Sequence, residues 1–143
     1  MKQFCCTLLF FLATLTSYAQ NFADFFQDKT LRVDYIFTGD ANRQAIYLDE
    51  LSQLPSWAGR QHHLSELPLA GNGQIIVKDV ATGQCIYKTS FSSLFQEWLS
   101  TDEARTTAKG FENTFLLPFP KKTVEVEITL YSPRKDVMAN FKH

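Results

Sequence analysis

The stretch GRQHHLSELP, residues 59–68, places two adjacent histidines shortly before a carboxylate, Glu66. Imidazole and carboxylate groups bind zinc, but a zinc site needs about three or four protein ligands. Adjacent residues point to opposite faces of a strand and diverge by roughly 100° on a helix, so His62 and His63 are poorly placed to hold one ion. Either histidine could share a helical face with Glu66, yet two ligands do not make a site. The spacing therefore favours a solvated or hydrogen-bonded loop.

Other arrangements that carry catalysis are missing from the sequence. No H-E-x-x-H motif occurs, which would place two zinc ligands and a general base one turn apart on a helix. No G-x-S-x-G turn occurs, and AGNGQ lacks the strand-to-helix setting of a phosphate-binding loop. Glu125 and Glu127 alternate as on the wet face of a strand, which is favoured over a glycosidase pair. We predict no catalytic residue, metal or cofactor in this chain.

Two tryptophans could stack on a sugar or a peptide. Trp98 lies on the apolar face of a predicted helix, which favours a place in the core. Trp57, in LPSWAGR, lies in a stretch without clear periodicity. Both a buried and an exposed position remain open for Trp57.

The first nineteen residues have the pattern of a signal peptide. Lys2 precedes an apolar run from Phe4 to Leu15, and the small residues Ser17 and Ala19 precede the predicted cleavage site. A transmembrane anchor is the alternative, but the run is too short to span a bilayer comfortably. Residues 1–19 are therefore predicted to be removed on export. The protein would be secreted to the periplasm, the cell surface or the medium, without a membrane span.

Residues 20–143 are predicted to form one domain. The whole chain is 45% hydrophobic and 14% aromatic, which is sufficient for a packed core. Its net charge of -1, without a basic run, excludes a nucleic-acid-binding surface. Cys85 is the single cysteine after cleavage, so an internal disulfide is excluded and a buried, inert thiol is expected.

Short runs of alternating apolar residues predict about seven strands. The runs are TLRVDYIF, QAIYLDEL, the two arms around Ala81-Thr82-Gly83, FENTFLLPFP ended by its prolines, TVEVEITL and KDVMANFK. Ser93 and Gln96 have the spacing of a capping box, and a helical insertion is expected around residues 92–109, with Gly110 as its terminator.

We therefore predict a mainly all-β fold, an antiparallel, immunoglobulin-like β-sandwich. Leu94, Phe95, Trp98 and Leu99 are expected on one face of the helical insertion. Because the last alternating run reaches His143, the natural chain is expected to continue.

Four segments together carry a family resemblance. They are DKTLRVDYIFTGDANRQAIYLDEL, LPSWAGRQHHLSELPLAGNGQIIVKD, YKTSFSSLFQEWLSTDEA and GFENTFLLPFPKKTVEVEITL. Over roughly residues 24 to 143, the chain resembles the N-terminal domain of M64 metallopeptidases of the Bacteroidetes type, a family named for IgA-cleaving endopeptidases. The resemblance implies a β-sandwich that precedes a zinc peptidase domain. His62, His63 and Glu66 match none of the family's zinc ligands, so zinc is expected only in the peptidase domain.

The expected role is that of a non-catalytic accessory domain. It would fold, orient or shield the peptidase domain, or contact a protein substrate such as an immunoglobulin. The interaction surface is predicted in the segment from Trp57 to Pro68, at Trp57, Arg60, His62, His63 and Glu66. The alternative is a stand-alone module of the cell envelope that binds glycan or protein. An enzyme in its own right is the third possibility, and we expect no protease activity.

Overall fold

The computed structural model describes residues 20–143. The predicted signal peptide, residues 1–19, lies outside the described residues. The strands are β1 (Phe26–Gly39), β2 (Gln44–Leu54), β3 (Gly73–Asp79), β4 (Cys85–Phe91), β5 (Lys109–Pro120), β6 (Val124–Tyr131) and β7 (Val137–Lys142). The helical segments are α1 (Phe22–Phe25), α2 (Leu94–Trp98) and a 3-10 turn (Glu103–Arg105).

The strands form two antiparallel sheets that pack face to face. The three-stranded sheet has the order β2-β1-β5, and the four-stranded sheet has the order β4-β3-β6-β7. This confirms the predicted antiparallel sandwich of seven strands. In the three-stranded sheet the first strand is central and the second lies at the edge. A β-bulge between Asp34 and Tyr35 shifts the register of β1 against β2.

The core lies between the two sheets, where alternate residues of each strand point inward. Its buried members are Val33, Tyr35, Phe37 and Leu117 from one sheet, and Ile75, Val77, Tyr87, Val126, Ile128 and Leu130 from the other. Aromatic rings connect the two sheets: Phe37 stacks on Phe91 at 5.9 Å, and Phe91 lies 4.5 Å from Phe115. From residue 32 onward, the fold therefore places the side chains of even-numbered β1 residues, such as Arg32 and Asp34, on the outside.

The segment between β4 and β5 crosses from one sheet to the other. Ser93 caps α2 as predicted, because its hydroxyl accepts a hydrogen bond from the Gln96 backbone N–H at 3.3 Å. The reciprocal bond of a capping box is replaced, since the Ser93 backbone N–H donates to the Asn72 side chain. Phe95 is fully buried, whereas Leu94 is exposed, so the prediction that Leu94 shares the inner face was wrong. Neighbouring residues of a helix diverge by roughly 100°, so the burial of Phe95 turns Leu94 toward the solvent.

Strand β5 is longer than its sequence pattern indicated. It begins at Lys109, so Gly110 lies within the strand and does not terminate the helical segment. It also continues through Pro118 to Pro120, which corrects the expectation that the prolines end it. Because β5 is an edge strand, its prolines need not donate to a second neighbour.

Candidate interaction surface

Trp57 anchors the loop between β2 and β3. Its side chain is only 8% exposed and meets the Tyr87 ring edge-on at 6.1 Å. The indole N–H donates to the carbonyl of Arg60 at 3.1 Å, and the backbone N–H donates to the Asp28 carboxylate at 3.2 Å. A Cβ on Gly59 would lie 2.2 Å from the indole, so glycine is needed for this close approach. Trp57 is therefore a buried anchor of the loop.

Arg60 ties the same loop to strand β4. Its guanidinium lies 5.0 Å from the centre of the Tyr87 ring, a cation–π arrangement. One of its nitrogens, Nη2, donates to the carbonyls of Leu64 and Lys88. Its Nε and Nη1 are buried without a hydrogen-bond partner among residues 20–143, and the Tyr87 ring lies next to the guanidinium that carries them. Arg60 thus stabilises the loop from within.

The loop covers the outer edge of β4. The backbone N–H of Lys88 donates to the Leu64 carbonyl at 2.8 Å, while the Lys88 carbonyl accepts from Arg60. Further along, the Ser90 hydroxyl donates to the Pro68 carbonyl at 3.1 Å. An uncovered edge strand can pair with another chain. This loop forms hydrogen bonds with backbone groups at the edge of β4 and so protects the strand from such pairing.

The histidines of this loop point to the solvent. His63 has a positive φ of 51°, and its Nδ1 lies 2.8 Å from a Glu66 carboxylate oxygen. Both side chains of this pair are mostly exposed, as is His62. An exposed pair of this kind contributes little to stability. The structure thus separates the predicted site residues into two buried anchors, Trp57 and Arg60, and an exposed rim of His62, His63 and Glu66.

Sequence analysis missed an apolar surface beside this loop. Leu54, Pro55, Ala58 and Leu116 surround an open hollow of about 550 Å³ on the outer face of the three-stranded sheet, with Thr30 at its floor. Leu116 is 52% exposed and Leu54 is 37% exposed. We call these four residues the outer apolar patch. Contiguous exposed apolar residues are typical of contact surfaces in folded proteins.

A signal for this patch was present in the sequence. Leu116 pairs with Arg32 and Leu54 pairs with Thr30, both on the outward-facing register of β1. Apolar residues at outward positions are the exception on a strand whose other face fills the core. The pairing of three strands was needed to bring Leu54 and Leu116 to the same hollow, because they are distant in the chain.

The sequence profile of the family described as Peptidase M64 N-terminus matches residues 21–142. The chain belongs to this family. The match confirms the family predicted from the sequence, and it covers the loop, both sheets and the outer apolar patch. No curated protein matches the sequence. The family description places the domain at the N-terminus of an M64 peptidase, separate from the peptidase domain itself.

This M64 N-terminal domain provides no metal centre in the part that the structure describes. Within residues 20–143, no three His, Cys, Asp or Glu side chains come together as a possible metal site. His62 and His63 lie in the loop, whereas His143 follows β7 and contacts Tyr35, its Nε2 being 2.7 Å from the phenol oxygen. The His, Cys, Asp and Glu side chains in this part of the chain therefore do not fit a zinc ion.

A second cleft of the M64 N-terminal domain lies at the opposite end of the sandwich. It has a volume of about 440 Å³, and its apolar lining includes Leu99, Pro133 and Met138. Gln96 projects at its border, and its amide already donates to the carbonyls of Asn72 and Tyr131. None of the predicted site residues lines this cleft.

The outer face of the four-stranded sheet is polar. Lys78 lies 2.8 Å from the Glu127 carboxylate, and Lys142 lies within 3.4 Å of both Glu127 and Glu125. The hydrogen bond from Lys78 is the largest cause that lowers the pKa of Glu127. The two glutamates therefore belong to a network of ion pairs on the wet face of the sheet. No helix among residues 20–143 is long and apolar enough to cross a membrane.

Proposed function

We propose that this chain is the N-terminal accessory domain of a secreted zinc peptidase, and that its outer apolar patch binds the peptidase domain of the same protein. The observation that carries the proposal is the exposed hollow between Leu54 and Leu116, in a family defined as the N-terminal part of an M64 peptidase. Burial of exposed leucine side chains is the main favourable term in stable association between domains.

The proposal assigns different roles to the accessory domain and to the peptidase domain. In this proposal the zinc ion and the catalytic base lie in the peptidase domain, which agrees with a family description that covers only the N-terminus of the peptidase. The accessory domain would help the peptidase domain to fold and would hold its orientation. A protein substrate, such as an immunoglobulin, would be cleaved by the peptidase domain. Export would require residues 1–19 as the signal peptide.

The anchors of the loop support this arrangement. Because Trp57 and Arg60 are fixed by hydrogen bonds and by the Tyr87 ring, the residues around the hollow are held in place before any partner binds. A surface that is already ordered loses less conformational entropy on association. His62, His63 and Glu66 lie further along the same loop and would supply the polar rim. Their role in contact stays a prediction.

The alternative of a glycan-binding module lacks support at its central residue. Sugar recognition by stacking needs an exposed aromatic face. The Trp57 ring is buried against Tyr87 and Gly59 instead. We therefore propose a protein domain, and not a sugar, as the partner of this surface.

A binding measurement tests the proposal. The double variant Leu54→Ser/Leu116→Ser is titrated against the separately produced peptidase domain by calorimetry. Loss of two central apolar contacts is expected to weaken binding about tenfold or more. In the full-length protein, the same variant should expose the junction of the two domains to limited proteolysis.

The matched control places the same chemical change elsewhere. Val80 and Val137 are 58% and 63% exposed, and both lie outside the patch. The double variant Val80→Ser/Val137→Ser should bind like the wild type. Equal affinity of both double variants, or absence of a peptidase domain from the gene, would refute the proposed role.

A further inference from the structure

The side chain of Gln20 occupies a specific docking position. Its Nε2 donates to the Cys85 carbonyl at 2.8 Å, and its Oε1 accepts from the Ser65 hydroxyl at 2.8 Å. Cys85 opens β4, and Ser65 belongs to the loop that covers the edge of β4. One amide group therefore joins two segments that are distant in sequence. The residue is partly buried there.

Cleavage after Ala19 makes Gln20 the first residue of the mature chain. This step rests on the export included in the proposed function. A glutamine at that position carries its α-amine and its side-chain amide at the separation needed for a five-membered ring. The α-amino group has an ordinary pKa of about 8, so a fraction of it is an uncharged nucleophile near neutral pH.

We propose that Gln20 is a modification site and that the mature protein begins with 5-oxoproline, the cyclic lactam of glutamine. The α-nitrogen attacks Cδ and forms the N–Cδ bond, while the Cδ–Nε2 bond breaks. The proton lost by the α-amine leaves with Nε2 as ammonia. The reaction needs no oxidant, reductant or second substrate.

The docking position suits the lactam. The lactam keeps the carbonyl oxygen that accepts from Ser65, and its ring N–H can replace Nε2 as the donor to the Cys85 carbonyl. Cyclisation also removes the positive charge of the α-amine, and a partly buried position disfavours that charge.

Mass spectrometry of the exported protein tests the inference. The protein is produced with its own first nineteen residues, and the N-terminal peptide is analysed after purification at neutral pH. We expect a peptide that starts at residue 20 and is lighter than the open-chain sequence by one ammonia. Treatment with an aminopeptidase that removes 5-oxoproline should then release a chain that starts at Asn21.

The variant Gln20→Asn is the matched control. It keeps a side-chain amide but is one methylene shorter, so the same attack would require a strained four-membered ring. Its N-terminal peptide should show no loss of ammonia. A wild-type chain that starts with open-chain glutamine would overturn the modification and leave the accessory role intact. A first residue other than Gln20 would overturn the modification together with the predicted cleavage site.

A second variant tests the docking. Ser65→Ala removes the partner of the carbonyl without touching the reacting atoms. It should lose ammonia like the wild type, while amide hydrogen exchange at residues 21–23 becomes faster. Unchanged exchange in Ser65→Ala would show that the lactam does not occupy this position.

Discussion

The two sheets turn very different outer faces to the solvent. On the four-stranded sheet, Lys78, Glu127 and Lys142 form a network in which each charge has an opposite partner. On the three-stranded sheet, the ion pair of Arg32 and Asp34 stands beside exposed leucines that surround a hollow. The inner faces, in contrast, both contribute to one shared core. The contrast between the two sheets therefore lies in their outer faces.

This difference shows which outer face can remain in contact with solvent and which one would gain from being covered. A face whose charges are paired and solvated needs no further cover. An outer face with exposed leucines beside an ordered loop leaves apolar area in water, and association removes that cost. The three-stranded sheet is therefore the side on which we place the peptidase domain.

The largest effect is expected from Trp57→Ala. Truncation of a buried tryptophan creates a cavity and should lower the free energy of unfolding by about 3–5 kcal/mol. The hollow beside the outer apolar patch would lose part of its lining as well, because Trp57 is one of its lining residues. Urea denaturation of wild type and variant measures the change. Tyr47→Ala, which truncates an exposed aromatic side chain of β2, is the control. If Trp57→Ala lowered the free energy of unfolding by less than about 1 kcal/mol, Trp57 would not be a buried anchor of the loop.

The next effect concerns the contact between the sheets at Tyr35. Its phenol bonds to His143, which lies beside β6 of the other sheet. Tyr35→Phe should lower the free energy of unfolding by about 1 kcal/mol. Loss of the Tyr35 hydroxyl leaves a ring nitrogen of the half-buried His143 without its hydrogen-bond partner. Equal stability of Tyr35→Phe and wild type at pH 7.5 would show that this bond does not connect the sheets effectively.

The same contact gives a pH dependence. Burial lowers the pKa of His143 from its ordinary value of 6.5. The folded state therefore binds this proton less well than the unfolded state, and stability is complete above pH 6.5. It should decrease as the pH falls through 6.5 toward the lower pKa of the folded state. Denaturation curves between about pH 7.5 and 5 test this window. His143→Gln should show a flatter profile, and an equally steep profile would exclude His143 as the cause.

A smaller effect is expected on the polar outer face. Glu127→Gln should lower the free energy of unfolding by about 0.5 kcal/mol, because exposed ion pairs contribute little. The loss should shrink at high salt, which screens the pairs in the wild type. Thermal unfolding at low and high ionic strength measures both. If the free energy of unfolding fell by several kcal/mol, the ion pairs on the outer face of the four-stranded sheet would contribute as much to stability as core contacts do.

The smallest effect on stability is expected at Leu116. Leu116→Ser should change the free energy of unfolding of the isolated domain by less than about 0.5 kcal/mol, because the side chain is half exposed. The same variant should reduce binding of a hydrophobic dye and self-association. If Leu116→Ser strongly destabilised the isolated domain, the outer apolar patch would be part of the core, and the contrast between the faces would disappear.

Much of the fold was predictable because it depends on local patterns. The alternation in TVEVEITLYSP indicates β6, and Ser93 with Gln96 indicates the start of α2. The prediction that the prolines end β5 failed because it depends on the number of strands that pair with β5. Pro118 can remain within β5 because that strand has a partner on one side only, and strand order is not a local property.

The candidate site was predictable only in part. The segment from Trp57 to Pro68 was correctly assigned as a loop, and its two adjacent histidines are exposed. Whether the Trp57 side chain is buried or exposed could not be predicted, because its burial depends on Tyr87 from β4. The hollow between Leu54 and Leu116 depends on both being paired with β1.

The sequence by itself determined the family, the β class, the absence of catalytic motifs and the solvated nature of the Glu125–Glu127 face. These features reside in residue types and in spacings of a few positions. The tertiary structure decided which loop residues are anchors, which edge the GRQHHLSELP stretch covers and which sheet face remains apolar. Each of these depends on contacts between strands separated by tens of residues, and sequence periodicity carries no information on which strands become neighbours.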